Sequence, residues 1–118
     1  VVLLAHSCGA HMAMLWMEQH GDSGIDAFVG IGMGATDYKQ PMRHPFPFAS
    51  VAIPVLDLYG EEDYPAVHRM APERLDLMNK GGNALSKQVA SAGADHYFTD
   101  KSDQLTKGVS NWLDSLGW

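Results

Sequence analysis

Three residues of the types that together perform nucleophilic catalysis occur along the chain in the order serine, aspartate, histidine. Ser7, Asp63 and His96 each follow a stretch of apolar residues typical of a buried strand. A serine hydroxyl needs a base to take its proton, and the base needs a carboxylate that fixes its tautomer and stabilises the imidazolium. If the preceding strands lie in one parallel sheet, their carboxyl ends bring all three residues to one edge. The pattern therefore predicts acyl-transfer chemistry at a serine.

The serine lies in a segment that predicts a sharp turn from a strand into a helix. An apolar strand runs into His6-Ser7-Cys8-Gly9 and then into the helix. Such a turn strains the backbone of its central residue, so the residues two before and two after it must be small, as Ala5 and Gly9 are. Taking Cys8 as the nucleophile would put His6 at one of these crowded positions, where an imidazole does not fit. Ser7 is therefore the predicted nucleophile, and the alternative is that these residues merely join a buried strand to a helix.

The rest of the sequence alternates between predicted strands and helices. Strands are predicted at 1–5, 26–31, 53–59 and 86–91, helices at 9–19, 72–80 and about 101–116, and a proline-containing loop at 34–50. This order predicts an α/β fold, with a four-stranded parallel sheet whose strands are joined by right-handed crossover helices. The chemistry of such a sheet lies at the carboxyl ends of its strands.

Individual side chains also have predicted positions. The helix at 9–19 has little polar surface, which indicates burial on most sides. Pro72 fits the first turn of the next helix, from which Leu75 and Met78 are expected to face inward. Asp57, within an otherwise apolar strand, is predicted to face a helix interface or solvent. The last helix carries one apolar stripe, made up of Leu105, Val109, Trp112, Leu113 and Leu116.

Together these segments resemble the C-terminal half of a bacterial-type α/β-hydrolase, from the nucleophile turn to the end of the chain. The resemblance rests on three motifs in the same order, namely Ala5–Gly9, Pro54–Asp63 and Gly93–Phe98, and it spans all 118 residues. It implies a truncated α/β-hydrolase fold with residues 1–118 as a single domain. It also implies four site residues, which are the nucleophile Ser7, the orienting acid Asp63, the general base His96 and Cys8, whose backbone N–H is an oxyanion-hole donor.

Each of these assignments has an alternative. Asp63 could cap a helix or a turn, with the carboxylate supplied by Glu61, Glu62 or Asp95. His96 could be a structural histidine whose ring is satisfied within an apolar loop. His6 is interpreted as a packing residue beside the turn. The other histidines share no metal-ligand spacing with Cys8 and are interpreted as surface or core residues, so no metal site is predicted at His11, His20, His44 or His68.

Composition argues against several classes of partner. The chain has 14 Asp and Glu but only eight Lys and Arg, for a formal charge of -6, which disfavours nucleic acid, an anionic membrane surface and an anionic substrate. No apolar run approaches the roughly 18 residues of a membrane span. No signal peptide is visible, which leaves the cytoplasm as the default location. A glycine-rich stretch at 30–34 lacks the Lys and Ser/Thr of a phosphate loop, and no cofactor is predicted.

Two functions of different classes follow. The first is a serine hydrolase of esterase type that forms an acyl-enzyme at Ser7 with a small, mostly apolar substrate, under a pocket roof containing Phe46 and Phe48. Acyl transfer by the same residues is equally compatible. A complete α/β-hydrolase takes a second oxyanion donor from a loop before the nucleophile strand, so this chain is expected to be weakly active or inactive. The second is a non-catalytic α/β domain that self-associates, as a homodimer formed through the exposed strand at 1–4 or the uncovered sheet face.

Overall fold

The computed structural model describes residues 1–21, 24–33, 47–48 and 51–117. Within them, the strands are β1 (Val2–His6), β2 (Ala27–Ile31), β3 (Val55–Gly60) and β4 (Lys87–Ser91). The helices are α1 (Cys8–His20), α2 (Pro65–Gly81) and α3 (Ser102–Ser115). This confirms the predicted order of strands and helices.

The four strands form one parallel sheet in the order β1-β2-β3-β4, which confirms the predicted α/β fold class. The register pairs His6 at the end of β1 with Ile31 at the end of β2, and Ile31 with Leu58 in β3. The residues that follow these strands therefore emerge at the same edge of the sheet. Ser7 and the turn that carries Asp63 both lie at this edge.

Different helices cover the two faces of the sheet. On one face, α1 and α2 contribute Met14 and Met78 to a core that includes Phe28 of β2. On the other face, α3 packs on β3 and β4 through Trp112 and the rest of the predicted apolar stripe. Side chains alternate between the faces along each strand, so β3 sends Val55 to the first core and Leu56 to the second.

Helix α2 begins at Pro65, so the prediction that it begins at Pro72 is wrong. Pro72 instead lies inside the helix, where a proline removes a backbone donor at a cost of about 3 kcal/mol. Side-chain donors lie beside this defect, because Arg74 Nη1 donates to the Val67 carbonyl at 3.0 Å and a glutamine of β4 donates to another carbonyl of the helix. Met78 is buried as predicted, whereas the expectation that Leu75 faces inward is wrong, since it is 40% exposed.

Helix α1 and strand β1 present apolar side chains to solvent in the part of the chain that the structure describes. Met12 and Trp16 are each 51% exposed, so the prediction that this helix is buried on most sides is wrong. The helix packs on β1 through one side only, which contains the buried Ala10, Met14 and Met17. Leu4 of β1 is also 51% exposed. No helix among the described residues is both long enough and apolar enough to cross a membrane.

Most of the predicted loop lies outside the described residues, including Phe46. Phe48 is described, and it is buried in the core formed by α1, α2 and β2. Phe48 therefore does not line a roof over the strand ends. Its carbonyl oxygen packs so closely on α2 that a β-carbon at Gly81 would lie 2.7 Å from it.

Candidate active site

Ser7 occupies a strained turn between β1 and α1. Its φ of 58° and ψ of -130° place a non-glycine residue in a region that costs about 1–3 kcal/mol and persists only where the surroundings enforce it. Two backbone bonds hold the turn, since the Ser7 N–H donates to the Ile31 carbonyl at 2.8 Å and the Ala10 N–H donates to the Ser7 carbonyl at 3.0 Å. The expected crowding at Gly9 is not found, because a β-carbon there would meet no heavy atom of the described residues within 4 Å.

The turn after β3 and the loop after β4 are joined closely enough to fix Asp63 and His96 together. The Glu62 N–H donates to the Ala94 carbonyl at 2.9 Å. At Gly60 a β-carbon would lie 2.0 Å from the same carbonyl oxygen, so only glycine permits this approach. The turn after β3 and the loop after β4 are therefore held in a fixed relative position, together with the Asp63 and His96 side chains that they carry.

Ser7, His96 and Asp63 form a continuous hydrogen-bonded chain. His96 Nδ1 lies 2.7 Å from Asp63 Oδ1, and His96 Nε2 lies 3.0 Å from Ser7 Oγ. Because an ionised carboxylate can only accept, Nδ1 carries the proton and Nε2 accepts from the serine hydroxyl. The side chains of His96 and Asp63 are 6% and 0% exposed. These distances are within the reach required between a nucleophile, its base and the group that orients the base.

Gly32, just after β2, makes room for this pair. Its φ is +58°, and a β-carbon would lie 3.0 Å from two ring atoms of His96 and 3.2 Å from Asp63 Oδ2. In the sequence this glycine stands out only as part of the glycine-rich stretch at 30–34. The structure shows that the imidazole and the carboxylate occupy the space that a side chain would need.

The three alternative carboxylates do not contact the His96 ring. Asp95 Oδ1 accepts from the backbone N–H groups of Thr99 and Tyr97, and these hydrogen bonds, the one from Thr99 above all, lower the pKa of Asp95. Glu61 Oε1 accepts from the backbone of the same loop, and Glu61 and Glu62 are both exposed. Asp63 is thus the carboxylate that the fold brings to the imidazole.

Aromatic rings surround His96, a feature that the sequence analysis did not single out. The Tyr64 ring stacks on the imidazole with centroids 4.5 Å apart, and the Tyr97 ring meets it nearly at right angles at 5.0 Å. His6, expected to be a packing residue, does pack here, with ring centroids 4.7 Å apart, and its Nε2–H donates to the His96 carbonyl at 2.9 Å.

The other described histidines lie apart from this site. His11 is buried, His20 stacks on Trp16, and His68 meets Tyr59 edge to face. His44 lies outside the described residues. Among residues that are described, no group of three or more His, Cys, Asp or Glu side chains could hold a metal ion.

A buried ion pair lies within β3, the strand that precedes the turn carrying Asp63. Asp57 Oδ2 accepts from Arg74 Nε and from Gln88 Nε2, each at 2.8 Å. Both charged side chains are at most 1% exposed, and Asp57 faces the interface with α2, one of its two predicted environments. Burial raises the pKa of Asp57, while the Arg74 guanidinium acts in the opposite direction. Arg74 was not predicted from the sequence, although a cation on the buried side of α2 is the partner that an aspartate in an apolar strand requires.

An apolar cavity of about 310 Å³ adjoins His96 on the sheet face that α3 covers. The cavity is lined by residues of β1 and β2, of the loop between β4 and α3, and of α3 itself. The lining residues include Leu4, Ile31, Phe98 and Leu105 as well as His6, His96 and Tyr97. The site therefore has an apolar surface beside the His96 ring.

No protein-family model matches the sequence, and no curated protein matches it. The solved structures that are similar to the chain include the following two. One is a protein of unknown function from Agrobacterium tumefaciens, provisionally assigned to the α/β hydrolases, with a TM-score of 0.73 and 21% identity over 96% of this chain and 49% of that one. The other is a predicted CIB-like hydrolase from Thermoplasma acidophilum, with a TM-score of 0.72 and 14% identity over 95% of this chain and 49% of that one. The chain therefore has an α/β-hydrolase-like fold and spans about half the length of these two relatives.

Proposed function

We propose that this chain carries the catalytic residues of a serine hydrolase of esterase type, with Ser7 as the nucleophile, His96 as the general base and Asp63 as the orienting acid. The observation that carries the proposal is the hydrogen-bonded chain from Ser7 Oγ through the imidazole to the buried carboxylate. Strain at Ser7 supports the same role, because backbone strain is concentrated at functional sites.

The proposed reaction proceeds through an acyl-enzyme. Ser7 Oγ attacks the ester carbonyl while His96 Nε2 takes its proton, and Asp63 stabilises the imidazolium that results. The tetrahedral intermediate then expels the alcohol, which receives the proton from His96. Water, deprotonated by the same nitrogen, attacks the acyl group, and the acid leaves with the serine hydroxyl restored. No cofactor takes part in these steps.

The oxyanion of the intermediate would be held by the backbone N–H of Cys8. Cys8 is the first residue of α1, where N–H groups lack partners within the helix and the helix dipole favours negative charge. A single oxyanion-hole donor of this kind contributes about 100- to 1,000-fold to the rate in other serine hydrolases.

An uncharged acyl ester of small size suits this site best. The cavity beside His96 is lined mainly by apolar side chains. The formal charge of -6 over the whole chain disfavours an anionic substrate.

Hydrolysis of p-nitrophenyl acetate and butyrate by the 118-residue chain tests the proposal. We expect Ser7→Ala to reduce the rate to background and the matched variant Cys8→Ala, which keeps its backbone N–H and removes only an exposed thiol, to stay within about 3-fold of the parent. Loss of activity in Cys8→Ala, or its retention in Ser7→Ala, would contradict the assignment of the nucleophile.

Self-association is the second candidate function, and the exposure of apolar side chains at the start of the chain, in and before β1 and on α1, favours it. Val1, Leu4, Met12 and Trp16 are all at least half exposed there, and an uncharged edge strand is a template for pairing with another chain. Light scattering is expected to give a dimer for the parent chain and a monomer for Leu4→Lys, while an exposed-site control on α2, Glu73→Gln, remains dimeric. A monomeric parent chain would remove this candidate.

A further inference from the structure

Tyr64, the residue directly after the proposed acid Asp63, contacts both Asp63 and His96. The Tyr64 N–H donates to Asp63 Oδ1 at 2.7 Å, the same oxygen that accepts from His96. The Tyr64 ring lies over the His96 ring, with centroids 4.5 Å apart and 26° between the planes. One residue therefore touches the carboxylate with its backbone and the imidazole with its side chain.

The backbone at Tyr64 is held in place by the residue that follows. Pro65 restricts the preceding residue to extended conformations, and Tyr64 has φ of -57° and ψ of 148°. The chain therefore enters α2 with the Tyr64 backbone in a conformation to which Pro65 already restricts it in the unfolded chain. Fixing the Tyr64 backbone therefore costs correspondingly little conformational entropy on folding.

Stacking supplies a constraint that the two hydrogen bonds of His96 do not. Bonds at Nδ1 and Nε2 fix the two nitrogens, but the ring can still tilt about the line that joins them. A parallel ring against its face opposes this tilt. The Tyr64 ring also covers the imidazole, which is 6% exposed although Tyr64 itself is 45% exposed.

We propose that Tyr64 is a positioning residue for the general base, whose ring holds the imidazole in line with Ser7 and stabilises its protonated form. The role rests on the proposed function and adds to it a residue that does not contact the reacting atoms. A cation over the face of an aromatic ring is attracted by its quadrupole. His96 carries that charge only after it takes the serine proton, so the effect is expected in kcat and not in KM.

Substitutions of Tyr64 that remove or keep its aromatic ring test the expected effect on kcat. Tyr64→Leu is expected to lower kcat by about 2- to 30-fold with little change in KM, because an aromatic–cation contact has that range of strength. Tyr64→Phe keeps the ring, removes only the hydroxyl that lies 3.4 Å from that of Tyr97, and is expected to retain kcat. A rise in KM at constant kcat would assign Tyr64 to substrate binding and overturn the proposal, as would an equal loss in the Phe and Leu variants.

A second measurement does not depend on hydrolysis. In the Ser7→Ala background, NMR resonances of the His96 ring protons are expected to move downfield in Tyr64→Leu, where the ring current is lost, and to remain in place in Tyr64→Phe. Unchanged resonances in Tyr64→Leu would overturn the positioning role even if the chain is an active esterase. A shifted resonance in a chain without Ser7-dependent esterase activity would overturn the proposed function and leave the contact between Tyr64 and His96 established.

Discussion

Two buried carboxylates on the same strand-and-turn unit have different partners. Asp57, in the middle of β3, pairs with Arg74, which stays protonated at any pH that a protein tolerates. Asp63, just beyond the end of β3, pairs with His96, whose imidazole has a second nitrogen that contacts a serine hydroxyl. Burial alone therefore does not identify a functional carboxylate. The difference lies in whether the partner can pass a proton to a third group.

Asp63→Asn should have the largest effect of the changes that test this comparison. An amide at this position can stabilise neither the required tautomer nor the imidazolium, and the corresponding change in serine proteases lowers kcat by about 10,000-fold. We expect ester hydrolysis to fall to the level of Ser7→Ala. Activity within about 10-fold of the parent chain would show that Asp63 stabilises a cap or a turn and does not take part in catalysis.

Asp57→Asn should instead act on stability. Removing one partner of a buried ion pair leaves the other charge uncompensated, at a cost of about 3–5 kcal/mol in the free energy of unfolding. Urea unfolding measures this change, with Glu73→Gln on the exposed side of α2 as a matched control. We expect activity per folded molecule to be retained. A loss of activity without a loss of stability would make Asp57 part of the site.

The positions of Ser7, Asp63 and His96 could be predicted from the sequence, whereas the partner of Asp57 could not. The strand pattern placed Ser7, Asp63 and His96 at one sheet edge, because the ends of parallel strands meet there whatever the details of packing. Arg74 was missed because its role depends on the pairing of α2 with β3, which no local pattern encodes. The start of α2 was misplaced for a related reason, since the local pattern does not encode the packing that lets the helix continue through Pro72.

The pH dependence of stability gives a smaller test of the Asp57 pair. Because burial raises its pKa above the ordinary value of 3.8, the folded chain binds a proton at Asp57 more tightly than the unfolded chain does. The contribution of Asp57 to stability therefore falls as the pH rises from about 4 through the raised pKa. We expect the unfolding free energy of the parent, measured relative to that of the double variant Asp57→Leu/Arg74→Met, to decrease as the pH rises over this range. A difference that does not vary with pH would contradict the direction of the pKa change.

Glu62→Gln is expected to have the smallest effect. The side chain is exposed and makes no contact with the His96 ring, so both stability and hydrolysis should remain close to those of the parent, with a change of about 0.5 kcal/mol or less. An activity loss comparable to that of Asp63→Asn would show that the carboxylate was assigned to the wrong residue of the turn.

Labelling of the native chain with a fluorophosphonate probe, followed by peptide mapping, tests the central assignment most directly. The account predicts a covalent adduct on Ser7 that is absent from Ser7→Ala and from the denatured chain, that forms much more slowly in Asp63→Asn, and that still forms in folded Asp57→Asn. A native, folded parent chain that forms no adduct on Ser7 would contradict the proposal that His96 and Asp63 activate this serine.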